Sequence, residues 1–206
     1  MQSYYFEDLL EVGVDEVARG CLAGPVYTAA VIWPKEIEPE LDNMITKDSK
    51  KYSKRRRLIL KDYIEENCID YSVTSESNII IDKVNILNAT LLSMHNSISN
   101  LNIEIDHILV DGTTFKNYYN KNNELIPNTC IVNGDAKYTP IACASILAKV
   151  YHDEYIEKLC DENPDYKKYD WHNNMCYGTE KHLNAIREYG ITDLHRKTFG
   201  ICKDYL

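Results

Sequence analysis

No run of apolar residues in this 206-residue chain approaches the ~20 needed to cross a bilayer. The start, Met1 to Asp8, has neither a basic opening nor an apolar core, so no secretory leader is expected. Cys-x-x-Cys pairs are also missing. The seven cysteines (Cys21, Cys68, Cys130, Cys143, Cys160, Cys176, Cys202) are scattered and odd in number, which argues against a zinc ribbon and against a secreted disulfide framework. Reduced thiols in an intracellular, cytoplasmic setting fit that usage. Basic residues are in deficit, 23 against 32 acidic, for a net charge of −9. Polyanions are repelled by an acidic field, so the average charge speaks against nucleic acid. The distribution does not, because seven basic residues fall between Lys47 and Arg57.

What remains is ordinary for a globular protein: 44% apolar and 27% charged residues, with no repeat or low-complexity tract. Collagen-like, coiled-coil and disordered readings fail on this composition. A chain of this length buries roughly 70% of its unfolded surface, so it folds without disulfides or structural metal. One domain over 1–206 is expected, with a helical C-terminal part from about residue 160.

Along the chain, Leu9 to Val14 reads as a strand ending at Asp15-Glu16. Val26 to Trp33, β-branched and aromatic, reads as a second strand close enough to form a hairpin. Ser53 is placed to cap a helix to about Asn67, with Leu60, Ile64 and Cys68 inward. Asp70 to Glu76 alternates like a strand, and 78–101 has the spacing of one helix. His107 to Asp111 is a short strand, 117–128 a polar loop or hairpin, and Thr129 to Val132 another brief strand. Thr139 as N-cap and Pro140 at the first position are expected to start a long helix through about Leu159, whose small residues, Ala142, Ala144, Ser145 and Ala148, allow close packing on a sheet. Thr179 and Gly190 bracket a last helix. Strands mixed with helices throughout indicate an α/β protein.

Four acids stand at element boundaries: Asp15, Glu16, Asp111 and Asp135. Ligand sites on α/β sheets collect at strand ends, and clustered carboxylates suit the hard ions Mg²⁺ and Mn²⁺. Two such ions ~3.5–4 Å apart can stabilise both oxygens of a phosphodiester displacement. An acid at a strand end also commonly caps a turn, and spacing alone leaves both readings open. Adjacent strand residues point to opposite faces, so for Asp15 and Glu16 to share a site the chain has to leave the strand there. The cations of Lys54 to Arg57 fill a first helical turn, where the macrodipole disfavours each by ~0.3–1 kcal/mol. Either a polyanion or the acidic loop before them compensates. Lys137, Lys149, Lys181, Arg187, Arg196 and Lys197 extend a possible basic track.

Six ordered segments carry a resemblance. Gly13 to Val26 (G-V-D-E-V-A-R-G-C-L-A-G-P-V), Asp48 to Ser53 (D-S-K-K-Y-S), Val110 to Gly112 (V-D-G), Gly134 to Val150 (G-D-A-K-Y-T-P-I-A-C-A-S-I-L-A-K-V), Tyr177 to His182 (Y-G-T-E-K-H) and His195 to Phe199 (H-R-K-T-F) resemble the type 2 ribonucleases H, the ribonuclease HII family. The resemblance implies an RNase H-like fold, a mixed central sheet flanked by helices. It also implies a monomeric endonuclease acting on RNA:DNA hybrids and on ribonucleotides embedded in duplex DNA. Cleavage is expected 5′ to the ribonucleotide, leaving a 3′-hydroxyl and a 5′-phosphate. By motif match, Asp15, Glu16, Asp111 and Asp135 are the catalytic metal carboxylates for two Mg²⁺ or Mn²⁺ ions. Ala18, Arg19 and Gly20 align with the stretch that reads the 2′-OH, the group separating RNA from DNA. Tyr177 aligns with the tyrosine stacking on the following deoxyribose, while Lys50 and Lys51 align with phosphate contacts. Ala18 and Cys176 stand where the pattern has glycine, and His152 where it has arginine. A catalytically silent hybrid-binding protein and another metal-dependent phosphoesterase are the competing expectations. No membrane partner is expected.

Overall fold

Alternation of β-branched and small residues builds a hairpin first. Strand β1 (Glu11–Val17) pairs antiparallel with β2 (Val26–Ile32), Gly13 opposite Val31 and Val17 opposite Tyr27. The computed structural model describes residues 1–36, 45 and 52–205. Strand β3 (Asp70–Glu76) continues the sheet antiparallel to β2. Strand β4 (His107–Asp111) runs parallel to β1. A small separate hairpin, β5 (Tyr118–Tyr119) and β6 (Leu125–Ile126), precedes β7 (Asn128–Ile131), which runs parallel to β4. The result is a mixed five-stranded sheet in the order β3-β2-β1-β4-β7.

Helix α1 (Lys54–Asn67) starts where expected, the Ser53 hydroxyl accepting the Arg56 amide at 3.3 Å. Leu60 and Ile64 are fully buried, each worth ~1.5–3 kcal/mol. Cys68 does not continue that stripe; it is the C-cap, its amide bonded to the Ile64 carbonyl. The single helix expected over 78–101 is two. Asn85, at φ 69°, ends α2 (Asn78–Val84), and its side chain accepts the Asn88 amide to cap α3 (Ile86–Ser99). The positive φ breaks the helical path and the asparagine side chain caps the next helix well, so one residue does both jobs. Periodicity runs through such a break and hides it.

Helix α4 (Thr139–Glu162) is the longest, 24 residues or ~36 Å. Its N-cap is Tyr138, not Thr139, whose hydroxyl is buried without a hydrogen-bond partner. Face parity places α3 and α4 on opposite sides of the sheet. Val12, Val14, Ile108 and Val110 pack with Leu91, Met94 and Ile98 of α3. Ala29 and Val31 pack with Ala142, Ala144 and Ile146 of α4, joined by Leu60 and Ile64. The approach of α4 to β1 is close: a Cβ on Gly13 would sit 2.2 Å from the Pro140 carbonyl carbon.

A third apolar cluster forms beyond α4 from a 3₁₀ turn (Pro164–Tyr169), α5 (Trp171–Asn174), α6 (Glu180–Tyr189) and a last 3₁₀ turn (Gly200–Tyr205). Thr179 caps α6 through its hydroxyl and Gly190, at φ 76°, closes it, as expected. Ala18, Cys21, Leu22 and Ala23 of the β1–β2 loop are buried in this same cluster. All seven cysteines are free thiols. Among the described residues no helix is long and apolar enough to cross a membrane.

Candidate active site

The C-terminal ends of β1, β4 and β7 share one edge, because these three strands are parallel neighbours. The register pairs Val14 with Val110, so Asp15 and Asp111 are the next residues along adjacent strands. Asp111 in turn pairs with Ile131. The chain after β7 turns through Asn133, at φ 53°, into a 3₁₀ turn, Gly134–Ala136. There the Gly134 amide donates to Asp111 Oδ1 at 2.6 Å. Asp135, the next residue, is buried. Asp15 and Asp111 therefore meet at one sheet edge, and the turn carrying Asp135 abuts it through Gly134, although the three are remote in sequence.

Asp15 lies on the α4 face and is only 5% exposed. Its Oδ1 accepts the Glu16 amide at 2.7 Å, and the Ser145 hydroxyl of α4 also bonds the carboxyl. Burial raises its pKa well above the usual carboxylate range, and the charges of Glu16 and Asp111 raise it further. The two hydrogen bonds act in the opposite direction. Among the described residues no lysine, arginine or histidine nitrogen lies within ion-pair distance of Asp15.

The expectation that the chain leaves the strand at the acids is corrected here. Strand β1 continues to Val17, with Asp15 opposite Ala29 and Glu16 opposite Thr28. Glu16 consequently projects to the other face, where it pairs with Arg19 Nη1 at 3.1 Å. Together with Arg19, Asp111, Gly112 and Asn133 it lines a cleft of about 270 Å³ beside α3. The acids thus wrap around the strand ends instead of sharing one face.

An all-oxygen donor set of this kind suits Mg²⁺ or Mn²⁺. A buried carboxyl pressed by two like charges is the electrostatic signature of a cation site. The rotamers do not form a finished cage: among the described residues no three His, Cys, Asp or Glu side chains surround a single point. Asp15 and Asp111 each direct an oxygen at a backbone amide. Backbone placement gathers the carboxylates, and the side chains are engaged locally.

The segments expected to meet substrate are also brought together. Ala18 has φ 70° and Cys176 φ 65°, so both positions where glycine was displaced adopt the left-handed backbone. Each carries a cost of ~1–2 kcal/mol for a residue with a Cβ. Gly20 underlies the Tyr177 ring, 3.7 Å from a Cβ built on it, and Cys21 bridges to Tyr177. Tyr177 is 37% exposed and Lys149 Nζ stands 6.0 Å from its ring centre. Burial raises the phenol pKa, Cys21 adds to this, and the nearby Ala18 amide works against it. Lys50 and Lys51 lie outside the described residues.

The basic run differs from a free anion-binding patch. Lys54 pairs with Glu157, Arg57 with Asp153 at 3.6 Å, and Lys61 with Glu154 at 2.9 Å, all on α4. Those cations lock α1 onto α4. Arg196 leaves the basic track altogether: it is fully buried, and its guanidinium binds carbonyls of the β1–β2 loop. Ser145, read from sequence as a packing residue, turns out to touch Asp15.

This mixed sheet, with carboxylates at the exit of its parallel strands, is of the ribonuclease H-like fold class. The ribonuclease H2 from Pyrococcus horikoshii OT3 has the same fold, with a TM-score of 0.76 at 23% identity over 95% of this chain and 96% of that one. Bst-RNase HIII in complex with Mn²⁺ aligns with a TM-score of 0.68 at 19% identity, over 95% of this chain and 68% of that one. The family model described as Ribonuclease HII matches residues 12–202. The Ribonuclease HII of Christiangramia forsetii is 45% identical over 206 residues, covering all of this chain and 98% of that protein. The chain belongs to the ribonuclease HII family.

Proposed function

We propose that this chain is a divalent-metal-dependent endoribonuclease that cuts the RNA strand of RNA:DNA hybrids and cuts at ribonucleotides embedded in duplex DNA. Cleavage falls 5′ to the ribonucleotide and leaves a 3′-hydroxyl and a 5′-phosphate. The observation carrying this reading is the meeting of Asp15 and Asp111 at one edge of three parallel strands, with the turn holding Asp135 abutting Asp111 and the Glu16 charge felt by Asp15 from the other face of β1. Family membership and the Mn²⁺ bound by the Bst-RNase HIII relative support it.

In this reading Asp15, Glu16, Asp111 and Asp135 hold two Mg²⁺ or Mn²⁺ ions, with Asp15 central because it is the buried carboxyl between two others. When bound, such ions supply Lewis-acid stabilisation of the attacking and leaving oxygens. Ser145 and the Glu16 amide fix the orientation of the Asp15 carboxyl, and the Gly134 amide fixes that of Asp111. The backbone of Ala18, Arg19 and Gly20 contacts the ribonucleotide 2′-OH. Tyr177 offers its half-open ring face to the neighbouring sugar, and Lys50, Lys51 and Arg19 contact phosphates without reading sequence. The chain acts as a monomer in the cytoplasm.

The test is cleavage of a labelled duplex holding one ribonucleotide and of an all-RNA strand on DNA, in Mg²⁺ and in EDTA. Turnover should require the metal, and Asp111→Asn should remove it while duplex binding persists. Near-normal Mg²⁺-dependent turnover in Asp111→Asn refutes the assignment. Equal cleavage of a duplex without any ribonucleotide points to a general phosphoesterase instead.

A further inference from the structure

The dipeptide His195-Arg196 lies outside the acidic site, yet bonds from it reach both segments assigned to substrate. Arg196 is a buried cation with no carboxylate in ion-pair distance among the described residues. Its planar fork instead binds four carbonyls. Nε donates to Gly24 (3.0 Å), Nη1 to Arg19 (2.9 Å), and Nη2 to Ala18 (2.8 Å) and Pro25 (3.1 Å). In a trans peptide the N–H points opposite to the carbonyl of the same plane. Fixing the carbonyls of Ala18 and Arg19 inward therefore aims the amides of Arg19 and Gly20 outward. Neither amide has a hydrogen-bond partner among the described residues, and both residues are exposed.

His195 reaches the other segment through one ordered proton arrangement. The Thr192 amide donates to His195 Nδ1 at 2.8 Å, which leaves the His195 proton on Nε2. Trp171 Nε1 donates to His182 Nε2 at 3.0 Å, which leaves the His182 proton on Nδ1. His182 Nδ1 then donates to the Tyr177 carbonyl at 3.0 Å, and the His195 Nε2 proton, 3.1 Å from His182 Nε2, shares that atom's single lone pair with the Trp171 indole. Both rings are buried, and His195 is held neutral with its pKa pulled down to about 3, chiefly by burial and then by His182.

The dipeptide is itself anchored from a third direction. Asn78 Nδ2 on α2 donates to the carbonyls of Asp193 (2.8 Å) and His195 (3.3 Å). Asp82 on α2 accepts the amides of Lys197 and Thr198, both at 2.9 Å. The Arg196 amide donates to the Leu22 carbonyl at 2.8 Å.

We propose that Arg196 and His195 are positioning residues that set the outward amides of Arg19 and Gly20 in fixed register with Tyr177, so that an isolated ribonucleotide is selected at one place. This rests on the substrate reading given above. A lone ribonucleotide has one productive register, whereas an all-RNA strand offers a 2′-OH at every step. Loss of register should therefore penalise the first substrate more than the second. A misplacement of about 1 Å costs on the order of a hundredfold in rate.

The experiment measures kcat/KM for both substrates in Mg²⁺, at a temperature where each variant is folded by circular dichroism. Arg196→Lys keeps the charge but replaces the fork with a single ammonium. It should lower the ratio of single-ribonucleotide to all-RNA cleavage by about tenfold or more. Ile64→Ala, a cavity variant at the α1–α4 contact, should lower Tm and leave the ratio within about twofold. If Arg196→Lys does not fold, His195→Gln is read for the same loss of ratio. An unmoved ratio in the folded variant, or an equal shift in Ile64→Ala, overturns the inference while an active wild type leaves the nuclease reading standing. A wild type inactive on both substrates sinks both.

Discussion

Replacing Asp15 with asparagine should make the metal-free protein more stable while abolishing cleavage. Asp15 and Asp111 follow the last registered pair of two parallel strands, which are ~4.8 Å apart. Two unit charges ~5 Å apart at an effective dielectric of ~20 repel by about 3 kcal/mol. Burial of the charged carboxylate is the larger cost and Glu16 adds to the repulsion, while the hydrogen bonds from Ser145 and the Glu16 amide offset part of both. Asparagine keeps an acceptor oxygen for the Glu16 amide and a polar partner for Ser145, and removes the charge. The net gain in EDTA at pH 7 is therefore about 1–3 kcal/mol, or a rise in Tm of roughly 2–12 °C for a chain of this size. The sign of the pH dependence follows from the raised folded-state pKa. Below the unfolded value near 4 the Asp15 carboxyl is neutral in both states, and wild type and variant should match. As pH rises, ionisation favours the unfolded wild type until the folded group also ionises, so the advantage of Asp15→Asn grows and then levels off. Urea unfolding in EDTA from pH 4 to 8 measures it, and added Mg²⁺ should stabilise wild type more than the variant. A variant less stable than wild type at pH 7 in EDTA would refute the electrostatic account of this carboxyl.

Three further substitutions probe the frame around the site. Ala18→Gly relieves a left-handed backbone worth ~1–2 kcal/mol but loses a buried methyl (~0.8 kcal/mol) and gains unfolded-state entropy (~0.4–1 kcal/mol), so stability by urea titration should stay within about 1 kcal/mol of wild type. Ala18→Val at the same φ should cost about 2 kcal/mol or more, and a neutral result would disprove the strain. Glu11 accepts the amides of Tyr5 (2.6 Å) and Phe6 (3.2 Å) and hydrogen-bonds buried His107 at 2.9 Å; losing these bonds to a charged acceptor, Glu11→Ala should cost about 2–4 kcal/mol, seen as a lower urea midpoint at unchanged m-value. Gly13→Ala places a methyl against the Pro140 backbone and should cost about 3 kcal/mol or more; a Tm within 2–4 °C of wild type, the shift expected from roughly 1 kcal/mol, would show that α4 can move off β1.

Much of the fold was legible because its signals are local. The β1–β2 hairpin, the strand from His107 to Asp111 and the capped helices starting after Ser53 and Thr179 follow from runs of a few residues with their punctuation. The boundaries that moved are those where one residue overrides a pattern. Asn85 splits a continuous helical period, and Tyr138 takes the cap from Thr139 because Thr139 is buried within the first turn. The four acids read as boundary residues, although Asp15 and Glu16 lie inside β1, and the approach of Asp15, Asp111 and the Asp135 turn is a property of strand order. Only the parallel alignment of β1, β4 and β7 brings Asp15, Asp111 and the turn holding Asp135 to one edge.

Charge illustrates what sequence cannot assign. Lys54, Arg57 and Arg196 look alike as cations in a string of letters, yet Lys54 and Arg57 join α1 to the acids of α4, and Arg196 is enclosed among carbonyls. The decisive difference is what surrounds each one, and those partners lie about 100 to 178 residues away. The same holds for His182 and His195. Their neutral state follows from a donor on either side, the Trp171 indole and the Thr192 amide, and from burial that makes a charged imidazole costly. Residues that set a site's geometry from behind it carry no periodicity and no cap signature. They become visible only when every buried donor and acceptor has to be accounted for, and at Arg196 that requirement leads straight back to the carbonyls of Ala18 and Arg19.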